Sequence, residues 1–340
     1  MKYLITGGCG FIGCNFANKL LSRGEQVILL DNLSRKGTKQ NLKYLTELYP
    51  TVEFLHADIR TDFQKILEAI NKVDVVFHLA GQVAVTFSVV NPREDFESNA
   101  LGTFNILEAI RISKKRPLLI YASTNKVYGK MDGVQIIEGR QGYKFKDLQN
   151  GISEKHLLDF HSPYGCSKGA ADQYVRDYAR MYGLKTVVMR QSCIYGPRQL
   201  GIEDQGWVAW FTIAAAHNKK ITIYGNGKQV RDILHVDDLF NAWDLAVENI
   251  DKVTGEIFNI GGGRMNTVSL IELINLLEKI SKRKIKQERA NWRPGDQKIY
   301  ISDNRKIAKK LGWRPMVSVE SGIRSLRAWV IANKSLFKDF

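Results

Sequence analysis

Cysteine is scarce: four residues in 340, at Cys9, Cys14, Cys166 and Cys193. They are too scattered for a disulfide framework and form no Cys-x-x-Cys zinc pair, so no metal and a reducing, cytoplasmic setting are expected. No stretch approaches the ~18 uninterrupted apolar residues of a membrane span. The opening Lys2-Tyr3-Leu4-Ile5-Thr6 runs straight into glycines and lacks the cleavable apolar region of a signal peptide. Finger, ribonucleoprotein and basic-zipper patterns are missing, as are internal repeats and low-complexity tracts. Those absences decide how the net charge of +15 is read. Its runs, Arg111 to Arg116 and Lys282 to Lys284, look like solvated helix ends, so neither nucleic acid nor membrane is an expected partner. An anionic substrate remains a reading of the surplus.

What is present suits a folded enzyme. With 44% hydrophobic and 25% charged residues, the chain can bury a full core. Short apolar runs at 3–6, 26–30, 52–55, 73–79, 118–122 and 186–190 alternate with helical patterns at 15–21, 63–70, 96–110 and 170–181. That alternation predicts an α/β protein with a Rossmann-type, doubly wound parallel sheet. After Tyr195 the rhythm changes, and helices near 207–216 and 270–280 are separated by irregular stretches. A cofactor domain over 1–190 and a smaller α/β substrate lobe over 191–340 are expected, with segments near 230–262 returning to the first. The segment from Lys130 to His161 exceeds the usual ~12–15-residue loop and is expected to be a lid or to carry short helices.

Gly7-x-x-Gly10-x-x-Gly13 follows the first strand and opens the first helix, where a dinucleotide pyrophosphate needs a tight turn and unpaired amides. Asp31 ends the second strand. Its carboxylate suits ribose hydroxyls and repels a 2′-phosphate, which favours NAD over NADP; Arg35 and Lys36 are cations that could hold that phosphate instead. Tyr164-Gly165-Cys166-Ser167-Lys168 places a phenol and an ammonium four residues apart on one helix face. A cation there would lower the phenol from its reference value of about 10 toward working pH, making a proton acceptor for a carbinol. Ser123-Thr124 end a predicted strand at the sheet's carboxyl edge.

Together these residues resemble the extended short-chain dehydrogenase/reductase family over nearly the whole chain. Thr6-Gly7-x-x-Gly10-x-x-Gly13, Asp58-Ile59, Leu79-Ala80-Gly81, Asn99 with Gly102-Thr103, Tyr164-x-x-x-Lys168 and Tyr195-Gly196-Pro197-Arg198 carry the likeness. The resemblance implies Thr124, Tyr164 and Lys168 as catalytic residues. It implies a cofactor site of Gly7, Gly10, Phe11, Ile12, Gly13, Asp31, Asn32, Ser34, Arg35, Asp58, Ile59, Leu79, Ala80, Gly81, Asn99, Tyr164 and Lys168, with Asn99 bracing Lys168.

Within the family, Ser123 to Gly129, Asp159 to Tyr174, Asp204 to Val208 and Gly225 to Asp232 are similar to the epimerases that act at C2 of CDP-sugars. That likeness implies a CDP-sugar partner met by Gln82, Thr124, Asn125, Lys126, His161, Gln205, Trp207, Val208, Tyr224, Arg231 and Arg293. The two arginines are the implied diphosphate clamp, because forked guanidinium groups suit phosphate oxygens. Cys193 stands where many family members carry Asn near the sugar diphosphate. Dehydratases of the family usually carry an Asp-Glu pair where this chain has Asn125-Lys126, which argues against dehydration. A 4-epimerase, a net dehydrogenase and a silent NAD- or RNA-binding protein are the other readings. A homodimer or homotetramer is expected from the family.

Overall fold

The computed structural model describes residues 1–293 and 296–337; residues 294–295 and 338–340 of the expected second lobe lie outside that description. Seven strands form the central sheet. They are β1 (Lys2–Thr6), β2 (Gln26–Asp31), β3 (Glu53–His56), β4 (Val75–His78), β5 (Leu118–Thr124), Thr186–Gln191 and Ile257–Ile260. Across the sheet the order is Ile257–Ile260, Thr186–Gln191, β5, β4, β1, β2, β3, and every neighbouring pair is parallel. The order reverses direction at β1, and that reversal opens a crevice at the carboxyl ends of the strands. Helices bury both faces, which is why β4 is buried along its length rather than alternating.

On one face α1 (Phe11–Ser22) packs with the helix Val236–Glu248. Phe16, Phe77, Phe240 and Trp243 meet edge to face there, with ring centres 5.1–5.7 Å apart. Two segments beyond residue 235 belong to the first lobe: Val236–Glu248 completes its core and Ile257–Ile260 closes the sheet's edge. The other face is covered by the helices Gly102–Ile112 and Ser162–Tyr182 through Ile106, Ile110, Val175 and Tyr178.

Two helical expectations need correction. The pattern at 96–110 is not one α-helix: Glu97–Leu101 is a π-turn, and the α-helix resumes at Gly102. The extra residue in that turn accompanies an inward Asn99, which is 1% exposed. The helix expected from 170 begins at Ser162, with Pro163 in its first turn, where the missing N–H costs nothing.

The second lobe is built from short pieces. Val230–His235 pairs with Thr267–Ser269, Ile299–Tyr300 and Cys193–Tyr195, while Ile221–Tyr224 pairs with Gln287–Ala290. The helices Trp207–Ala216, Leu270–Ser281 and Val319–Ala332 close a separate apolar core. Between 130 and 161 the structure has neither helices nor a detached lid. Ile136–Glu138 and Tyr143–Phe145 form a hairpin docked on this lobe: Tyr143 N donates to Lys228 O at 3.1 Å, and Tyr143 Oη accepts from Asn226 at 2.7 Å.

Candidate active site

The cofactor half is shaped by backbone. Gly7 has φ +67°, and a Cβ there would stand 2.9 Å from Ala80 N; one on Gly13 would meet Gly7 O at 2.3 Å. Gly10 caps α1 without a side chain, so the first amides of that helix, at Phe11 and Ile12, have no capping oxygen. Asp31 accepts from Cys9 N (3.1 Å) and Leu33 N (2.8 Å), while burial pushes its carboxyl upward. Asn32 supports the neighbouring turn, taking a bond from Ser34 N and giving one to Asp58. Burial raises Asp58, but its bonds from Arg60 and Asn32 outweigh that and bring it to about 2. The Asp58 carboxylate is therefore spent inside the protein. Ile59 packs under Gly102.

Leu79 to Gly81 continue from β4, with Ala80 N donating to Thr6 Oγ1 at 3.2 Å. Beside them Asn99 Oδ1 is buried without a partner, 2.6 Å from where a Gly81 Cβ would lie. An orphaned acceptor costs free energy unless something reaches it. The glycine cradle, the uncapped helix start, Asp31 and this acceptor fit a dinucleotide along the crevice.

At the crevice floor Thr124, the last residue of β5, acts electrostatically on the Tyr164 phenol. Tyr164 and Lys168 share a face of the helix Ser162–Tyr182, as their spacing predicts. Their electrostatics differ from the expectation. Burial pushes Tyr164 up to about 12; the Thr124 hydroxyl and the Arg35 guanidinium pull it down, and Asp95 pushes it up. Lys168 points elsewhere: Nζ donates to Ala122 O at 2.5 Å and lies 4.3 Å from the Tyr121 ring centre. Burial lowers this ammonium to about 7, against the pull of Asp172 and Asp95. The lowered phenol expected from Lys168 is thus absent, because the ammonium is turned toward the strand.

Behind these residues Asn99 and Gln82 belong to a buried polar layer whose other members, Asp95 and Ser167, escaped the sequence reading. Ser167 Oγ donates to Asp95 Oδ2 (2.5 Å), and Asn99 Nδ2 reaches Ser167 Oγ (3.1 Å) and Asp95 Oδ1 (3.2 Å). Gln82 closes the layer by donating to Asp95 (3.0 Å) and Ala84 O (2.7 Å). Asn99 therefore reaches the tyrosine helix at Ser167, next to Lys168. No local signal marks Asp95, which lies just before the π-turn. Deeper still, Arg190 grips Asp172 at 2.8 and 2.9 Å, and Ser123 Oγ donates to Asp172 at 2.6 Å.

The substrate half is shaped by charge. Lys126 follows Thr124, donating its backbone N–H to Thr124 Oγ1 at 3.2 Å, and its Nζ reaches Gln297 Oε1 at 3.3 Å. Burial and Arg231 lower Lys126 to about 8. Arg231 pairs with Asp296 at 2.7 Å, and Cys193 feels both cations. Asn125 is buried, its Oδ1 3.4 Å from Thr124 Oγ1.

A second cluster holds Arg293 over the Tyr224 ring at 3.8 Å, ion-paired to Asp204 at 3.1 Å. Each arginine of the expected clamp thus has a carboxylate partner of its own. Val208 does not turn its side chain to this site; it packs in the second-lobe core, leaving only its backbone near the start of Trp207–Ala216. His161 sits exposed at the start of the tyrosine helix without capping it. Gln205 accepts a hydrogen bond from Arg35.

Among the described residues there is no cluster able to hold a metal and no helix long and apolar enough to cross a membrane. All four cysteines are free.

Residues 4–326 match the family model of GDP-mannose 4,6 dehydratase. The chain is 47% identical to the CDP-paratose 2-epimerase of Salmonella typhi over 97% of its length and 99% of that protein. It superimposes on the UDP-glucose 4-epimerase of Thermotoga maritima, solved with UDP-glucose, with a TM-score of 0.82 at 32% identity, covering 99% and 100% of the two chains. For the UDP-glucuronic acid 4-epimerase of Bacillus cereus, solved with UDP-glucuronic acid and NAD, the TM-score is 0.83 at 29% identity, covering 97% and 99%. The chain belongs to the GDP-mannose 4,6 dehydratase family, within the extended short-chain dehydrogenases/reductases.

Proposed function

We propose that this protein is an NAD-dependent isomerase that inverts C2 of a CDP-linked sugar, interconverting CDP-paratose and CDP-tyvelose, with CDP-glucose as a slower substrate. The observation that carries the reading is the environment of Thr124. Its hydroxyl lowers the pKa of the Tyr164 phenol, and it is followed by an amide and an amine, Asn125 and Lys126, rather than by an acid able to expel water. The choice of nucleotide and carbon is supported by the identity to the Salmonella typhi enzyme over the full chain.

Inverting C2 breaks a C–H bond with no carbonyl beside it, so direct deprotonation has no resonance sink. NAD, when bound, supplies reversible hydride acceptance, which lets C2 become a flat ketone open to return from either face. Gly7 to Gly13 and Asp31 would hold its pyrophosphate and ribose, and the protein's own work is proton handling and grip. Tyr164 takes the proton from the C2 hydroxyl and gives it back to the same oxygen. Near neutral pH a phenol at about 12 is protonated, the form that return requires, while Thr124 and Arg35 favour the phenolate needed on the outward step. Thr124 keeps the oxygen beside Tyr164. Arg231 and Arg293 tether the nucleotide while the ketosugar turns over. No net redox change results.

Product NMR from a panel of CDP- and UDP-sugars tests the reading. Inversion at C2 of CDP-paratose or CDP-tyvelose is expected; inversion at C4 of a UDP-sugar would replace it.

A further inference from the structure

The segment 197–205 leads into the substrate lobe yet lies against the cofactor loops. Asn15 Nδ2 of α1 donates to Pro197 O at 2.9 Å, and the Arg198 guanidinium sits 3.4 Å from the Tyr44 ring centre. Leu200 covers Gly37 so closely that a Cβ there would come within 2.3 Å of its Cδ1. Under this strap a cavity of about 80 Å³ runs from Gly10 and Phe11 of the glycine turn to Leu200 and Gln205. Arg35 lines the same cavity. It donates to Gln205, and its charge is felt by both Asp31 and Tyr164.

The far side of the strap belongs to the nucleotide-sugar residues. Asp204 pairs with Arg293, and Glu203 O accepts from Arg293 at 3.1 Å. One short run of chain thus touches the two halves of the site, and Gln205 is the residue of it that accepts a hydrogen bond from Arg35 of the cofactor loop.

We infer that Gln205 is a positioning residue that acts through Arg35, latching the substrate segment over the cofactor groove so that nucleotide and cofactor strengthen each other's binding. This rests on the proposed NAD-dependent, nucleotide-sugar reading. A guanidinium carries five N–H donors, so Arg35 can hold Gln205 and still offer donors to phosphate oxygens. Ordering the strap for one ligand lowers the cost of ordering it for the other. Linkage makes the two effects equal: whatever factor nucleotide adds to cofactor affinity, cofactor adds to nucleotide affinity. The reaction suits such a latch, because one turnover uses the cofactor in both directions and contains no step that needs its release. Gln205, expected to meet the sugar nucleotide directly, is here a link between ligands.

The test is a set of four affinities. NADH is titrated by its fluorescence with and without saturating CDP or UDP, and the nucleotide is titrated calorimetrically with and without cofactor. In the parent protein each ligand should tighten the other by the same factor, about tenfold. In Gln205→Ala, with an unchanged melting temperature, both factors should fall below about twofold while the separate affinities stay near parent values. Gln205→Glu, whose carboxylate can still accept from Arg35, should restore the coupling. Full coupling in Gln205→Ala would overturn the latch, as would a loss of nucleotide affinity that is equal with and without cofactor. CDP binding with no coupling in the parent would overturn the latch alone. Failure of both nucleotides to bind would remove the nucleotide-sugar reading and the latch with it.

Discussion

The two halves of the site are made of different materials. The cofactor half is backbone: a glycine turn too tight for a Cβ, a helix start without a capping side chain, and Asp31 at a strand end. The substrate half is side chain on side chain, with Arg231 on Asp296, Arg293 on Asp204 and Tyr224, and Lys126 on Gln297. Backbone shape tolerates few substitutions and suits a ligand shared by many enzymes. Ion pairs between distant residues can be exchanged one at a time, which suits a ligand that differs from enzyme to enzyme.

The difference can be broken first at the rigid end. Arg190→Met leaves Asp172 charged and unpaired in a site where both residues are 2% exposed or less, so a loss of about 3–5 kcal/mol in denaturant unfolding is expected. Tyr164→Phe should keep fold and cofactor content while lowering turnover by roughly 10²–10⁴-fold, read in steady-state assays. Asp31→Ala removes a charged acceptor from the ribose end and should weaken NAD binding by about 1.5–3 kcal/mol, measured by titration.

Smaller effects sharpen the contrast through pH. Thr124→Val removes a hydroxyl that lowers Tyr164, so the alkaline rise of the rate profile should move upward; Asp95→Asn removes a charge that raises Tyr164 and should move it downward. In the substrate half Lys126 is held at about 8, below its ordinary 10.5. Between those values the unfolded chain binds more protons than the folded one, so Lys126 makes stability increase with pH across that window. Lys126→Met should flatten the increase in unfolding free energy measured from pH 8 to 10.5.

The same division explains what could be read before the structure. Gly7, Gly10, Gly13 and Asp31 belong to one strand–turn–helix–strand unit, and Tyr164 and Lys168 to one turn pair, so local spacing exposes them. Helix 63–70 is legible because its apolar periodicity is intact, and helix 207–216 and strand 257–260 because each is a short, nearly continuous apolar run. Hydrophobic periodicity has no means of showing that Lys126, Cys193 and Arg231 converge, since the strands that gather them are three to six residues long. The resemblance to a family supplied those residues. The direction of Lys168, the inward turn of Val208 and the hidden Asp95–Ser167–Asn99 layer lay beyond both, because each depends on which neighbour a side chain meets once folded.

The central claim is that the hydrogen at C2 leaves and returns within one site while Tyr164 moves the proton. The most direct measurement is product NMR after turnover of CDP-paratose carrying deuterium at C2. The account predicts CDP-tyvelose with deuterium still at C2 and a primary isotope effect there, with none from deuterium at C4. Loss of the C2 label to water would contradict it by showing deprotonation or elimination, and a primary effect with inversion at C4 would move the chemistry to the other carbon.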